Sequence, residues 1–158
     1  NALEPSVNLP THHGPDVKSI MPWVNIGTMA IKASTTIMHM HTVTLELKNK
    51  ATTEEALEVI GNSPRVRMVN TSSGIRSTAE IMELASDLGR NRSDMYEVVV
   101  WEDGVKSTGN TLYFYQAVHQ ESDVVPENID CIRSMCKLCD VSESTRKTNI
   151  SLGIPYKR

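Results

Sequence analysis

The stretch YEVVVW at 96–101 constrains the fold more than any other part of the chain. Along an extended backbone Val98, Val99, Val100 and Trp101 alternate between two sides, so a strand built from them has to be buried on both. Asp103-Gly104 then marks a turn, and NTLYFYQAV at 110–118 reads as a strand that returns beside the first, a hairpin element late in a sheet. With 158 residues, 39% of them apolar, the chain can bury a core around such a strand as one globular domain, or one large domain with a short appendage.

Upstream, residues 1–15 hold Pro5, Pro10 and Pro15 with little periodicity and read as extended loop, with Pro15 at the first position of a short helix over 16–21. Residues 23–33 and 38–48 read as strands. In the second, His39, His41, Val43, Leu45 and Leu47 share one face, while Met38, Met40, Thr42, Thr44 and Glu46 share the other. Thr52 with Glu55 makes a reciprocal cap for a helix that turns Ala56, Leu57 and Ile60 inward and ends at Gly61. VRMVN at 66–70 is the next strand. Ser77 with Glu80 repeats the capping device, and Ile81, Leu84, Ala85 and Leu88 form one apolar stripe that Gly89 stops.

Pro126 is expected to open a helix running to about Cys139, with Ile129, Ile132, Met135 or Cys136, and Cys139 along one side; 142–152 reads as a further short, polar helix. Strands separated by helices, with a tight hairpin, predict an α+β fold: a mixed, mainly antiparallel sheet with helices packed on one face. Two domains are expected, a main one over 1–125 and a C-terminal helical segment over 126–158.

A net charge of −3 offers no basic footprint for nucleic acid, and no apolar run approaches the length of a membrane helix. Cys131, Cys136 and Cys139 lack the spread of a secreted disulfide framework, so a reducing, cytoplasmic setting is expected. The first residue is Asn rather than Met, so the sequence is expected to start partway through a longer polypeptide.

Three stretches carry possible chemistry. In TTIMHMHTV at 35–43, His39 and His41 lie on the face that becomes apolar; two imidazoles so placed serve a metal, a hydrogen-bonded structural pair, or an acid/base step near neutral pH. A third metal ligand is hard to find, HQE at 119–121 being the only other candidate of suitable type, and no metal is expected. In THHGPDV at 11–17, Gly14 permits close approach to backbone, and free amides at a helix start beside His12 and His13 suit a phosphate or carboxylate; a plain loop-to-helix junction explains the same residues. The run from His119 to Asp123 is more polar than a turn requires, serving either caps and surface contacts or the lining of a site at the sheet edge. CKLC at 136–139 falls inside the expected helix without a second pair and is assigned no chemistry, and ESTRKTN reads as a solvated helix surface, with Thr148 and Asn149 within reach of a neighbouring domain.

Taken together, LPTHHGPDVKS, TTIMHMHTV, PRVRMV, STAEIMELASDLGR, AVHQESDVVPENID and KTNISLGI resemble, in order, segments of the archaeal, or type II, glyceraldehyde-3-phosphate dehydrogenases, from about Leu9 to Ile154. The resemblance implies NADP- or NAD-dependent oxidation of glyceraldehyde 3-phosphate, with inorganic phosphate, to 1,3-bisphosphoglycerate. In that family a cysteine thiolate attacks the aldehyde and a histidine accepts the proton as hydride leaves. By motif His39 matches the catalytic histidine, with His41 its supporting neighbour on the substrate side; His12, His13 and Gly14 match the substrate-phosphate region, and Gln120 falls where the family approaches the nicotinamide. The Gly-rich nucleotide fingerprint and the nucleophilic cysteine precede the present Asn1 in the family, and none of the cysteines here matches the nucleophile's SCNTTG context. The resemblance is thus to the C-terminal half, a catalytic and tetramerisation domain with a terminal helix that packs on the chain's own nucleotide-binding domain, in a homotetramer. Two other readings stand beside it: a non-catalytic oligomerisation or interaction module derived from that domain, using the face that carries Met38, Met40 and Thr42, and a small metal-binding protein using His39 and His41.

Overall fold

In the computed structural model, which describes residues 2–35 and 37–155, the chain divides into two units, Asn1–Thr36 and Ile37–Arg158. In the first, strands β1 (Leu3–Pro5) and β2 (Ile31–Ala33) pair antiparallel with Leu3 opposite Ala33, and helix α1 (His13–Ile20) lies between them in sequence. The strand expected over 23–33 therefore survives only as its last residues. Facing 24–33 is a segment in which Pro5 and Pro10 have no N–H to give, so a ladder gives way to isolated bonds, Ser6 N to Ala30 O at 2.9 Å and Thr11 N to Thr28 O at 3.1 Å. Helix α1 starts at His13 rather than after Pro15, which still falls in the first turn, where a missing donor costs nothing.

The second unit is built on a five-stranded sheet. Its elements in chain order are β3 (His39–Glu46), α2 (Thr53–Asn62), β4 (Val66–Val69), α3 (Thr78–Asp87), β5 (Val98–Trp101), β6 (Lys106–Thr108), β7 (Thr111–Val118), α4 (Gln120–Met135) and α5 (Val141–Leu152). The order is β3-β7-β5-β4, with β6 also on β7; the pairs are antiparallel except β4 with β5. The α+β class and the mixed, mainly antiparallel sheet are as expected.

The helices divide between the two faces rather than sharing one. Ile81 and Ala85 of α3 pack with Met95, Val99, Trp101 and Ala117 on one side; Ala56, Leu57 and Ile60 of α2 pack with Val100, Leu112 and Phe114 on the other. The cause is β5 itself, whose alternate residues fall into the two clusters, so that one layer of helix leaves half of it wet. The caps hold as read at Thr52, whose Oγ1 accepts from Glu55 N at 3.1 Å while Glu55 Oε2 accepts from Thr52 N at 2.7 Å. At Ser77 the hydroxyl instead accepts from Ala79 N and touches the Glu80 carboxylate.

Helix α4 begins at Gln120, so Pro126 is not its first residue but lies buried in its second turn. Glu121 and Asp123 favour an early start, standing where the helix dipole attracts negative charge. The apolar side expected along this helix is open: Ile132 is 59% and Met135 77% exposed, and Cys131 and Cys136 are exposed free thiols. The helix ends at Met135, which places CKLC in the turn to α5, with Lys137 at φ 52° and Leu138 N bonded back to Arg133 O at 3.0 Å.

What ties α4 to α5 is polar. Asp130 accepts from Ser144 Oγ and Thr148 Oγ1, both at 2.6 Å, and pairs with Arg65, whose Nε donates to Asn149 Oδ1 at 3.1 Å. Ser144, Thr148 and Asn149 are buried, so this part of ESTRKTN is an interior seam and not the solvated surface its composition suggests.

A second buried ionic centre lies beneath β5. Glu97, 2% exposed, accepts from Arg67 at 2.7 Å and from both terminal nitrogens of Arg90 at 2.5 and 2.9 Å. Burial pushes the Glu97 carboxyl up, but the Arg90 and Arg67 guanidinium groups more than offset it and hold it below the usual carboxylate range. The stability this confers is present above the ordinary carboxylate pKa and lost as pH falls through the depressed one. In the complete polypeptide, Glu97→Ala is expected to lower the unfolding free energy of this domain by about 3–5 kcal/mol, because it strands two cations. Urea titration at neutral pH checks this, and a loss below about 1 kcal/mol contradicts the reading.

Candidate active site

Strands β3 and β7 run antiparallel with His39 opposite Val118 and His41 opposite Gln116. Residues directly opposite share a face, so both imidazoles lie on the side that α2 covers further along, where Val43 meets Phe114. His39 stands exposed at the first position of β3. His41 is half-buried, and Gln116 Nε2 donates to its Nδ1 at 3.2 Å, which leaves the neutral ring's proton on Nε2. His41 is thus partly shielded from water, while His39 is open to whatever approaches the sheet end.

The chain leaves β7 at Val118, passes His119 and enters α4 at Gln120, which is exposed. One end of the sheet therefore gathers the start of β3, the end of β7 and the start of α4, and with them His39, His41 and Gln120. Among the described residues no group of three His, Cys, Asp or Glu side chains is placed to hold a metal ion.

Beneath Gln120 lies a polar cluster whose partners the sequence does not announce. Asp94, His119 and Ser122 are buried. Ser122 Oγ donates to Asp94 Oδ1 at 2.7 Å and lies 3.0 Å from His119 Nδ1, which accepts from Met95 N at 3.3 Å. Burial pushes the Asp94 carboxyl up, but the Ser122 hydroxyl, Arg92 and His119 bring it below the usual range. Asp123 goes the other way: burial raises it, and the Val124 amide and His119 only partly counter that. Its Oδ1 has no hydrogen-bond partner. The run from His119 to Asp123 thus splits, with Gln120 and Glu121 facing solvent and His119 and Ser122 turned inside.

His12, His13 and Gly14 belong to the first unit. The two exposed imidazoles stack with centroids 4.0 Å apart. Gly14 is buried, and its amide is not free for an anion: it donates to Thr28 Oγ1 at 3.1 Å, while Thr28 Oγ1 donates to Thr11 O at 3.0 Å. A side chain at Gly14 would bring its Cβ within 3.0 Å of Thr28 Oγ1, so the glycine serves close packing of the chain on itself.

Residues 1–104 match the family described as glyceraldehyde 3-phosphate dehydrogenase, C-terminal domain. The chain is 51% identical over 154 residues to a glyceraldehyde-3-phosphate dehydrogenase of Pyrococcus abyssi, 49% identical over 154 residues to that of Thermococcus kodakarensis, and 51% identical over 156 residues to that of Methanococcoides burtonii. Each likeness takes in 98% of this chain and 46% of the relative, so the chain spans about half the length of the curated relatives it matches. The chain belongs to the glyceraldehyde 3-phosphate dehydrogenase C-terminal domain family.

Proposed function

We propose that the polypeptide carrying this chain is a phosphorylating glyceraldehyde-3-phosphate dehydrogenase, acting in glycolysis or gluconeogenesis, and that this chain supplies its general base, His39. The observation that carries the reading is that His39, matched by motif resemblance to the family's histidine, is an exposed imidazole at the sheet end where α4 begins. His39 takes the hydroxyl proton of the hemithioacetal that a cysteine from the preceding part of the polypeptide forms with the aldehyde. As an imidazolium it then favours the cysteine thiolate that leaves when a phosphate oxygen attacks the thioester carbon, a C–O bond forming as the C–S bond breaks. His41, held by Gln116, keeps a fixed polar neighbour on the same face; His12 and His13, with Gly14 shaping their turn, are assigned the substrate phosphate.

A nicotinamide dinucleotide, NADP or NAD, accepts the hydride when bound. Gln120 fits that group, since its exposed amide both donates and accepts as a carboxamide requires. No G-x-G-x-x-G stands in this chain, so the dinucleotide phosphates are assigned to the polypeptide's own N-terminal nucleotide-binding domain.

That domain has a surface to dock on in the segment over 126–158, where Ile132, Met135, Leu138 and Val141 are exposed. On the sheet, Met40 (51%), Tyr113 (45%) and Tyr115 (48%) leave an apolar face open, which supports a catalytic and tetramerisation role for 1–125 and a homotetramer. No helix among the described residues is long and apolar enough to cross a membrane, and a cytoplasmic location is part of the proposal.

In the complete polypeptide, His39→Asn is expected to slow single-turnover hydride transfer by about two to four orders of magnitude with cofactor Kd nearly unchanged. Near-normal turnover removes the assignment. Gln120→Ala is expected to do the reverse, weakening cofactor binding roughly tenfold, the effect of one lost hydrogen bond, as titration calorimetry with NADP and NAD would read.

A further inference from the structure

Buried polar groups survive only when paired, and pairing fixes whatever elements carry them. Asp94 follows the turn at Asn91–Ser93 that leads toward β5; His119 joins β7 to α4; Ser122, 1% exposed, sits in the first turn of α4. The Ser122 proton goes to Asp94, and His119 Nδ1 receives the Met95 amide, so each donor has an acceptor. The residue types are those of a hydrolytic triad, but the order is not. The hydroxyl lies between carboxylate and imidazole with its proton held by the carboxylate, and it is sealed from solvent, so it is no nucleophile.

The cluster instead joins three pieces of backbone at one point. Two of its members flank Gln120 in sequence, and His119 follows the residue paired with His39. The cap position of α4, His119, makes no side-chain capping bond, and Ser122 ties this first turn to Asp94 in the segment before β5. We propose that Asp94, Ser122 and His119 are positioning residues, a buried clamp that sets the rotation of the first turn of α4 and thereby aims Gln120 at the nicotinamide end of the cofactor. This rests on the dehydrogenase reading above. A clamp of this kind acts through Gln120, so its loss and the loss of Gln120 cannot each exact a full penalty.

The test uses the complete polypeptide with wild type, Ser122→Ala, Gln120→Ala and the double variant; Ser122→Ala removes only an oxygen, and exchange in α3 reports whether the fold is kept. Hydrogen exchange is expected to show 119–126 losing protection about tenfold in Ser122→Ala while α3 is unchanged. Cofactor KM is expected to rise by roughly tenfold in Ser122→Ala and in Gln120→Ala, and no further in the double variant. Unchanged exchange overturns the clamp. Loosened exchange with unchanged KM, or with KM effects that multiply, overturns the aiming of Gln120. A wild-type polypeptide without dehydrogenase activity overturns the reading beneath, and the two failures are told apart because exchange requires no activity.

Discussion

The sheet of the second unit depends on β5 being dry on both sides. Val98, Val99, Val100 and Trp101 leave no polar face to offer to water, so α2 and α3 are each needed to close it, and β4 and β7 are needed to satisfy its backbone from either flank. Trp101 shows how closely the cover fits, since its indole Nε1 donates to Ile75 O at 2.8 Å, tying the strand to the connection before α3. Beside this strand, Glu97 is the single acid between Arg67 and Arg90, so the strand's entry is set by charge pairing and its body by apolar packing.

That division explains what could be read in the sequence. Periodic apolar positions announce β3, β5, β7, α2 and α3, and the Thr52–Glu55 box announces a helix start correctly because both partners lie within one turn. Pairings between distant segments leave no such trace. Nothing local to Arg65 indicates that it meets Glu127, Asp130 and Asn149, and nothing in Ser144 or Thr148 distinguishes a buried seam from a wet helix. Pro126 misleads for a related reason: a proline is a fair start signal, but here it is accommodated by burial inside a helix that acidic residues begin earlier.

The candidate site was legible to the same extent. His39 and His41 on one strand face, and Gln120 after the last strand, follow from period-two reading and chain order, and the structure places them at one sheet end. Of the amides at the helix start expected to be free, that of Gly14 is not, because Thr28, distant in sequence, takes it. Asp94 was missed because its neighbours Arg92 and Tyr96 suggest a surface turn; only the fold brings Ser122 and His119 over it.

The histidines at this sheet end occupy environments that assign them different work. His119 is buried with Nδ1 accepting from a backbone amide, so it serves as a fixed support. His41 is half-buried with Nδ1 committed to Gln116, which fixes its ring. His39 alone among them is exposed, at a strand's first residue, which is what the proposed role of base requires of it. A base has to be reachable and its supports have to be rigid, and a strand that runs from water into a packed sheet provides both within a few residues. The same end of the sheet is closed underneath by Asp94, Ser122 and His119, so the backbone that carries the exposed groups rests on satisfied polar contacts rather than on loosely packed side chains.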